Sequence, residues 1–280
     1  MYAHQVIEEF TKLQNCKKVK DDTKKIIDLL LHAIKNSIKF HIQDEEWLIK
    51  TVNRKNLNSQ QLINEYYNYI KLPYNFCWID FPTSKELFIK KIGIMAFYPE
   101  NENKNFINFV PFFYEKNKYW GTNWFYGGID LKRNQISYCA LPLKNIKDNL
   151  LNKNEKFIEE KAMNIHIAGY RLIYFLILMN CKNITTQKHD TPQALNKKRA
   201  KKGKLPLFSY HTLIIKPKNP FNNKKEDKNL WSNRIHFCRG HFKKYTKENP
   251  LFGKYTGLYW WQPCVRGKNK KGIIMKDYKI

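Results

Sequence analysis

Acidic residues are scarce in this chain: 24 Asp and Glu stand against 51 Lys and Arg, a formal net charge of +27. The deficit is uneven. Residues 182–280 hold 5 acids and 25 bases, whereas residues 1–181 hold 19 and 26. An excess gathered into one third of the chain points to a nucleic acid or another polyanion as partner. Heavy use of Lys, Asn and Ile, as in AT-rich coding, accounts for part of the total charge and poorly for its clustering. Arginine is rare too, at seven residues, and three of the seven (Arg234, Arg239 and Arg266) fall after residue 233.

Other absences narrow the chemistry. The six cysteines form no CxxC pair, so neither a zinc knuckle nor a thioredoxin-type motif is present, and scattered thiols fit a reducing cytoplasm. No GxxxxGK[ST] loop, GxGxxG fingerprint or HExxH helix occurs, and no cofactor is implied. Asp44-Glu45-Glu46 is more simply charge complementing a helix N-terminus than half of a two-metal site. Met1 to Lys12 does not read as a signal peptide. The longest apolar run, Leu172–Met179, is far shorter than the roughly 20 residues that cross a bilayer, so no membrane partner is expected. Aromatic residues make up 15% of the chain, which argues against global disorder.

The hydrophobic periodicity predicts an α+β fold in three stretches. Residues 1–72 read as an N-terminal helical segment. Asp21 and Asp22 are placed to cap a helix with Ile26, Ile27, Leu29, Leu30, Leu31, Ile34 and Ile38 on its apolar side; a second starts at Asn58 or Ser59 and stops before Pro73. Residues 73–181 change period. Asn75–Phe81, Phe88–Tyr98, Asn105–Tyr114, Tyr119–Tyr126 and Gln135–Leu141 read as an antiparallel sheet, with Gly127-Gly128 as a turn, and Ala162–Cys181 as a buried helix. His166 and Arg171 lie in that helix; the His is read as a core or boundary residue, and Arg171 as paired or reaching outward. Residues 182–280 read as a basic, aromatic-rich β region, readable also as one continuous domain with the second stretch. Its expected strands are Tyr210–Lys216, Arg234–Lys243, Gly257–Pro263 and Gly272–Tyr278, with a polar loop over Lys216–Asn229.

Four constellations carry chemistry. The first is Lys197, Lys198, Arg199, Lys201, Lys202 and Lys204, six bases in eight residues. It reads as a phosphate-contacting segment that supplies affinity without base specificity, or as a plain solvated linker. The second is the run from Arg234 to Tyr245. Here His236, Arg239, His241, Lys243 and Tyr245 are the inventory of a metal-independent ribonuclease: one imidazole as base on the 2′-hydroxyl, one as acid to the leaving oxygen, and cations on the phosphorane charge. The third reads His236, Cys238, His241 and Cys264 as a zinc set with unusual spacing. The fourth interleaves aromatic and basic residues: Tyr259, Trp260, Trp261, Arg266 and Lys268. Aromatics so placed stack on bases while the cations hold the backbone, and alternation buries one of the two tryptophans and exposes the other.

The run Leu195–Leu207 with Tyr210-His211, then His236-x-x-Arg-Gly-His241-Phe-Lys, then Trp261 and Arg266-Gly267, resembles uncharacterised bacteriophage and prophage proteins over residues 190–280, with a fainter echo in Leu72-Pro73-Tyr74. That resemblance implies a phage or mobile-element setting and no particular activity. Three functions follow. The first is a nucleic-acid-binding protein using Arg234, Arg239, Trp261, Arg266 and Lys268 besides the Lys197–Lys204 segment. The second is the metal-independent endoribonuclease, and the third a module that binds an acidic host protein.

Overall fold

A computed structural model describes residues 2–42, 59–82, 91–99, 104–114, 120–122, 125–140, 155–215, 236–238, 240–262 and 264–266. In chain order the elements are α1 (Tyr2–Gln14), α2 (Asp21–Asn36), β1 (Ile38–His41), α3 (Ser59–Tyr66), β2 (Phe76–Pro82), β3 (Lys91–Phe97), β4 (Phe106–Tyr114), β5 (Trp120–Gly121), β6 (Phe125–Asp130), β7 (Gln135–Ala140), α4 (Glu155–Met179), β8 (Ile184–His189), α5 (Gln193–Lys201), β9 (Tyr210–Ile215), β10 (His236–Cys238), β11 (His241–Tyr245), β12 (Gly257–Trp261) and β13 (Cys264–Arg266). The class is α+β. The helix start expected at Asp44–Glu46, the Lys216–Asn229 loop and the Gly272–Tyr278 strand lie outside the described residues.

Among the described residues the main sheet has nine strands, in the order β7-β6-β4-β3-β2-β1-β9-β8 with β5 also on β4. It is mixed rather than purely antiparallel, because β1 runs parallel to both β2 and β9. β1 lies inside the stretch expected to be helical. Ile38 fits a helical face as well as a strand, and only the docking of β1 between β2 and β9 chooses between them. β8 and β9 from the basic region complete the same sheet, so all three stretches contribute strands to it.

Period-2 alternation gives the sheet two apolar faces. On β2, Cys77, Ile79 and Phe81 join the core under α3 and α4, whereas Trp78 joins the core under α1 and α2. Met95, Val110 and Phe112 follow Trp78; Ile94, Phe109 and Phe113 follow Ile79. α4 is the spine of the first core: Leu172, Ile173, Phe175, Leu176 and Ile177 are all buried. Its Ala162–Met179 stretch is long and apolar enough to cross a membrane, but most of it is buried inside the fold, where a core helix meets the same criterion. Arg171 is buried as well, and His166 sits edge-on to Tyr138 with burial holding its imidazole below the usual histidine range.

Two expectations are corrected by packing. Asp21 and Asp22 occupy the first turn of α2, and Lys20 is the cap residue with no side-chain cap bond, so the acids act on the helix dipole. Gly127 and Gly128 are not a turn but the middle of β6. A Cβ on Gly127 would lie 2.1 Å from Phe109 Cζ, so glycine is what lets the Phe109 ring cross the strand. The chain reverses instead after Asp130, whose Oδ1 accepts from the backbone N–H groups of Lys132 and Arg133.

Candidate nucleic-acid interface

α5 places the Lys-rich segment. The helix has no buried residue, and its end is closed by Gly203 at φ 62°, with Gly203 N–H donating to Ala200 O at 3.0 Å and Lys204 N–H to Arg199 O at 3.0 Å. That is the Schellman ending, and the left-handed position is why glycine follows the lysines. Lys198, Arg199 and Lys201 lie in the last turn, where the carbonyl end of the helix dipole favours cations. Two side chains fasten the helix to the segment that leads into β9. Asn196 exchanges hydrogen bonds with the Leu207 backbone (3.1 and 2.8 Å), and Arg199 Nε donates to Leu205 O at 2.8 Å.

Arg199 also reaches α1, with its terminal nitrogen 2.7 Å from His4 Nε2 and 3.6 Å from Glu8 Oε1. Burial holds His4 below its ordinary range, the Glu8 carboxylate opposes this and the Arg199 charge adds to it. Arg199 is therefore a half-buried anchor, whereas Lys197, Lys198, Lys201, Lys202 and Lys204 are all exposed. Among the described residues no carboxylate lies within ion-pairing distance of these five ammonium groups.

The second basic surface is a long hairpin at the other end of β8. β11 pairs with β12 so that His241 faces Trp261, Phe242 faces Trp260, Lys243 faces Tyr259 and Tyr245 faces Gly257. β10 and β13 continue in the same register, His236 opposite Arg266 and Cys238 opposite Cys264. The inner side of the β11–β12 ribbon is apolar: Phe242 packs on Trp260 (ring centroids 4.8 Å apart), on Tyr66 (5.4 Å) and on Tyr174 (6.0 Å), and Leu258 and Trp260 are buried. Main-chain bonds lock the ribbon to the turn after α4. Lys182 N–H donates to Leu258 O at 2.8 Å, and the Asn183 amide bridges both backbone groups of Trp260 at 2.7 and 2.9 Å.

The outer side collects the opposite parity: His241, Lys243, Tyr245, Tyr259 and Trp261. His241 and Lys243 are exposed and the three aromatic rings half-buried. Lys243 Nζ sits 5.0 Å above the Tyr245 ring, which meets Tyr259 edge-on at 5.6 Å. Trp260 is thus the buried tryptophan of the pair and Trp261 the outer one.

Of the residues read from the sequence, the ribbon brings together His241, Lys243, Tyr245 and Trp261. His236 lies on β10, in a two-stranded sheet with β13 that is separate from the β11–β12 ribbon carrying His241. Arg234, Arg239 and Lys268 lie outside the described residues, and of His236, Cys238, Cys264 and Arg266 only the strand pairing is described. Among the described residues no group of three or more His, Cys, Asp or Glu is placed to hold a metal.

Sequence reasoning missed a polar cluster under α1. Asp80 of β2 is fully buried and accepts from the Trp78 indole N–H and, at 2.9 Å, from the Tyr2 backbone N–H; His41 Nδ1 lies 3.5 Å from it. Tyr210 meets His41 edge-on and stacks on His189, which bonds Thr212 Oγ1 at 2.8 Å. Lys39 of β1 is buried below, its ammonium driven down to about 8 by burial while Asp80 pulls it back up. The available signal was an acid alone in the apolar strand Phe76–Pro82. Its bonds tie the start of α1 to the sheet, a structural task for a carboxylate at a helix N-terminus.

No family model matches the chain, and neither a curated protein nor a solved structure matches it.

Proposed function

We propose that this chain is a nucleic-acid-binding protein of the phage or mobile-element kind, acting through the basic surfaces of its last hundred residues. The observation that carries the reading is α5: five exposed lysines with no acidic partner among the described residues, presented on a helix end that Arg199, Asn196 and Gly203 hold in place. Like charges gathered without counter-charge repel one another, and a polyanion relieves that repulsion while releasing its own counterions. The outer side of the β11–β12 ribbon adds a second basic surface, beside the start of β8, whereas α5 follows its end.

Binding is favoured over cleavage, because the exposed lysines of α5 can contact phosphates by themselves, whereas cleavage needs a general acid and a general base at one phosphate. A reducing cytoplasm suits the thiols: Cys16, Cys77, Cys139 and Cys181 are unpaired, and burial pushes Cys77 and Cys181 up to about 12, where they are inert. The test is the salt dependence of binding to labelled RNA and DNA. A slope of log K against log salt of several units is expected, at roughly 0.7 to 0.9 per phosphate. Replacing Lys197, Lys198, Lys201 and Lys202 by Ala should flatten it; an unchanged slope would remove α5 from the binding surface.

A further inference from the structure

We infer that the outer side of the β11–β12 ribbon is a platform for single-stranded nucleic acid, on which bases stack against Tyr259 and Trp261 while Lys243 holds a phosphate. This rests on the nucleic-acid reading above and names its substrate class.

The ribbon has already met its structural needs on the inner side. Phe242, Leu258 and Trp260 fill the core contact, and Lys182 and Asn183 bind the backbone of β12. A further row of aromatic residues on the outer side is not required to hold the hairpin down. Yet Tyr245, Tyr259 and Trp261 are there, and the tip adds Phe252 and Tyr255 at 59% and 56% exposure. Phe252 and Gly253 both adopt left-handed backbone (φ 53° and 72°), so the tip is a tight turn rather than a ragged loop.

Charge separates a nucleic acid from an apolar protein partner. Between His241 and Trp261 there are four lysines, Lys243, Lys244, Lys247 and Lys254, all exposed, and a single acid, Glu248. Glu248 is engaged locally by Thr246, which holds its carboxyl below the usual range. The Tyr259 ring stays neutral. Burial pushes the Tyr259 phenol upward, and the neighbouring phenols of Tyr255 and Tyr245 push it the same way. A neutral, rigid ring flanked by mobile ammonium groups is the arrangement that accepts a base on its face and the adjoining phosphate beside it.

Geometry separates single strand from duplex. Same-side residues on one strand are about 6.8 Å apart, so Tyr259 and Trp261 present two stacking positions in a row. In a duplex the base faces are covered by their neighbours and only edges and phosphates are reachable. A two-stranded ribbon that enters the major groove reads those edges with hydrogen-bonding side chains. This ribbon offers rings instead, with His241 and Lys243 as its polar groups.

The experiment uses the full chain and fluorescence anisotropy with labelled oligothymidylate, oligouridylate and a mixed-sequence duplex, at one low salt concentration. Single strands are expected to bind tighter than the duplex. Tyr259→Ala should weaken single-strand binding about five- to 150-fold, the range of one lost base stack, and leave the duplex unchanged, whereas Tyr259→Phe should retain affinity. Equal or tighter duplex binding, or an unaltered single-strand affinity in Tyr259→Ala, overturns the platform while leaving the α5 lysines as a binding surface. If neither nucleic acid binds, the reading beneath it falls and takes the platform with it. Should Tyr259→Ala lose the wild-type far-ultraviolet spectrum, the decision passes to wild-type protein crosslinked to 4-thiouridine-substituted oligouridylate. Adducts on residues 241–261 support the platform; adducts confined elsewhere overturn it.

Discussion

Lys39 gives a test of the packing that is independent of function. Its side chain is only 3% exposed, its ammonium donates to Ser37 O at 2.7 Å and Lys35 O at 3.1 Å, and it lies 4.4 Å above the Phe208 ring. Those carbonyls belong to the end of α2, whose dipole welcomes a cation, yet burial outweighs them and brings the group from 10.5 to about 8. Between those two values the unfolded chain binds a proton that the folded chain has released. Stability therefore rises with pH through that window, and below it the folded protein carries the whole penalty of roughly 3 kcal/mol. Lys39→Met removes the charge and also leaves two helix-end carbonyls without their donor, at about 1 to 3 kcal/mol each, so at neutral pH the two effects largely cancel. The pH dependence does not cancel. From near pH 7 to about pH 9.5 wild type should gain roughly 2 kcal/mol on the variant. Urea unfolding of both proteins across that range measures it. The raised phenols of Tyr98 and Tyr174 titrate in both and drop out of the difference. A wild-type minus variant difference that stays constant with pH would refute the reasoning.

Gly127→Ala should cost about 1 to 3 kcal/mol in urea unfolding, because the new Cβ collides with the Phe109 ring; wild-type stability would mean that ring has another place to go. Arg199→Ala is expected to destabilise by about 1 to 3 kcal/mol through the loss of its bonds to Leu205 O and His4, and to weaken nucleic-acid binding by loosening α5; hydrogen exchange at residues 193–204 distinguishes that from loss of one charge. Wild-type protein should bind RNA without cutting it in EDTA at any pH, and reproducible EDTA-resistant cleavage absent from His241→Ala would reverse the choice of binder over nuclease. No zinc is expected to copurify; one equivalent by elemental analysis, lost in Cys264→Ser, would show a structural site.

Several features were legible in the residues alone because they depend on local rules. α2 and α4 follow from apolar spacing, β2 to β4 from aromatic and β-branched runs, and the stop of α3 from the approach to Pro73. The split of Trp260 and Trp261 between core and outer side follows from alternation, and the exposed lysines of α5 from charge density. Long-range pairing decided the rest. Nothing local in Ile38–His41 distinguishes a parallel central strand from the last turn of a helix; β2 and β9, whose paired residues lie 39 and 171 positions further on, supply the missing hydrogen-bond partners. Gly127 and Gly128 carry the composition of a turn, and only the Phe109 and Phe106 rings crossing them show why they stand mid-strand. Asp80 and Lys39 were invisible as a pair for the same reason: each is one charge in an apolar run, and they share a buried environment only because β1 docks beside β2 and α1 closes over both. The sequence determined which residues alternate and where charge gathers. The tertiary structure decided which strands meet, because partner choice is a contest among distant segments that no window of sequence contains.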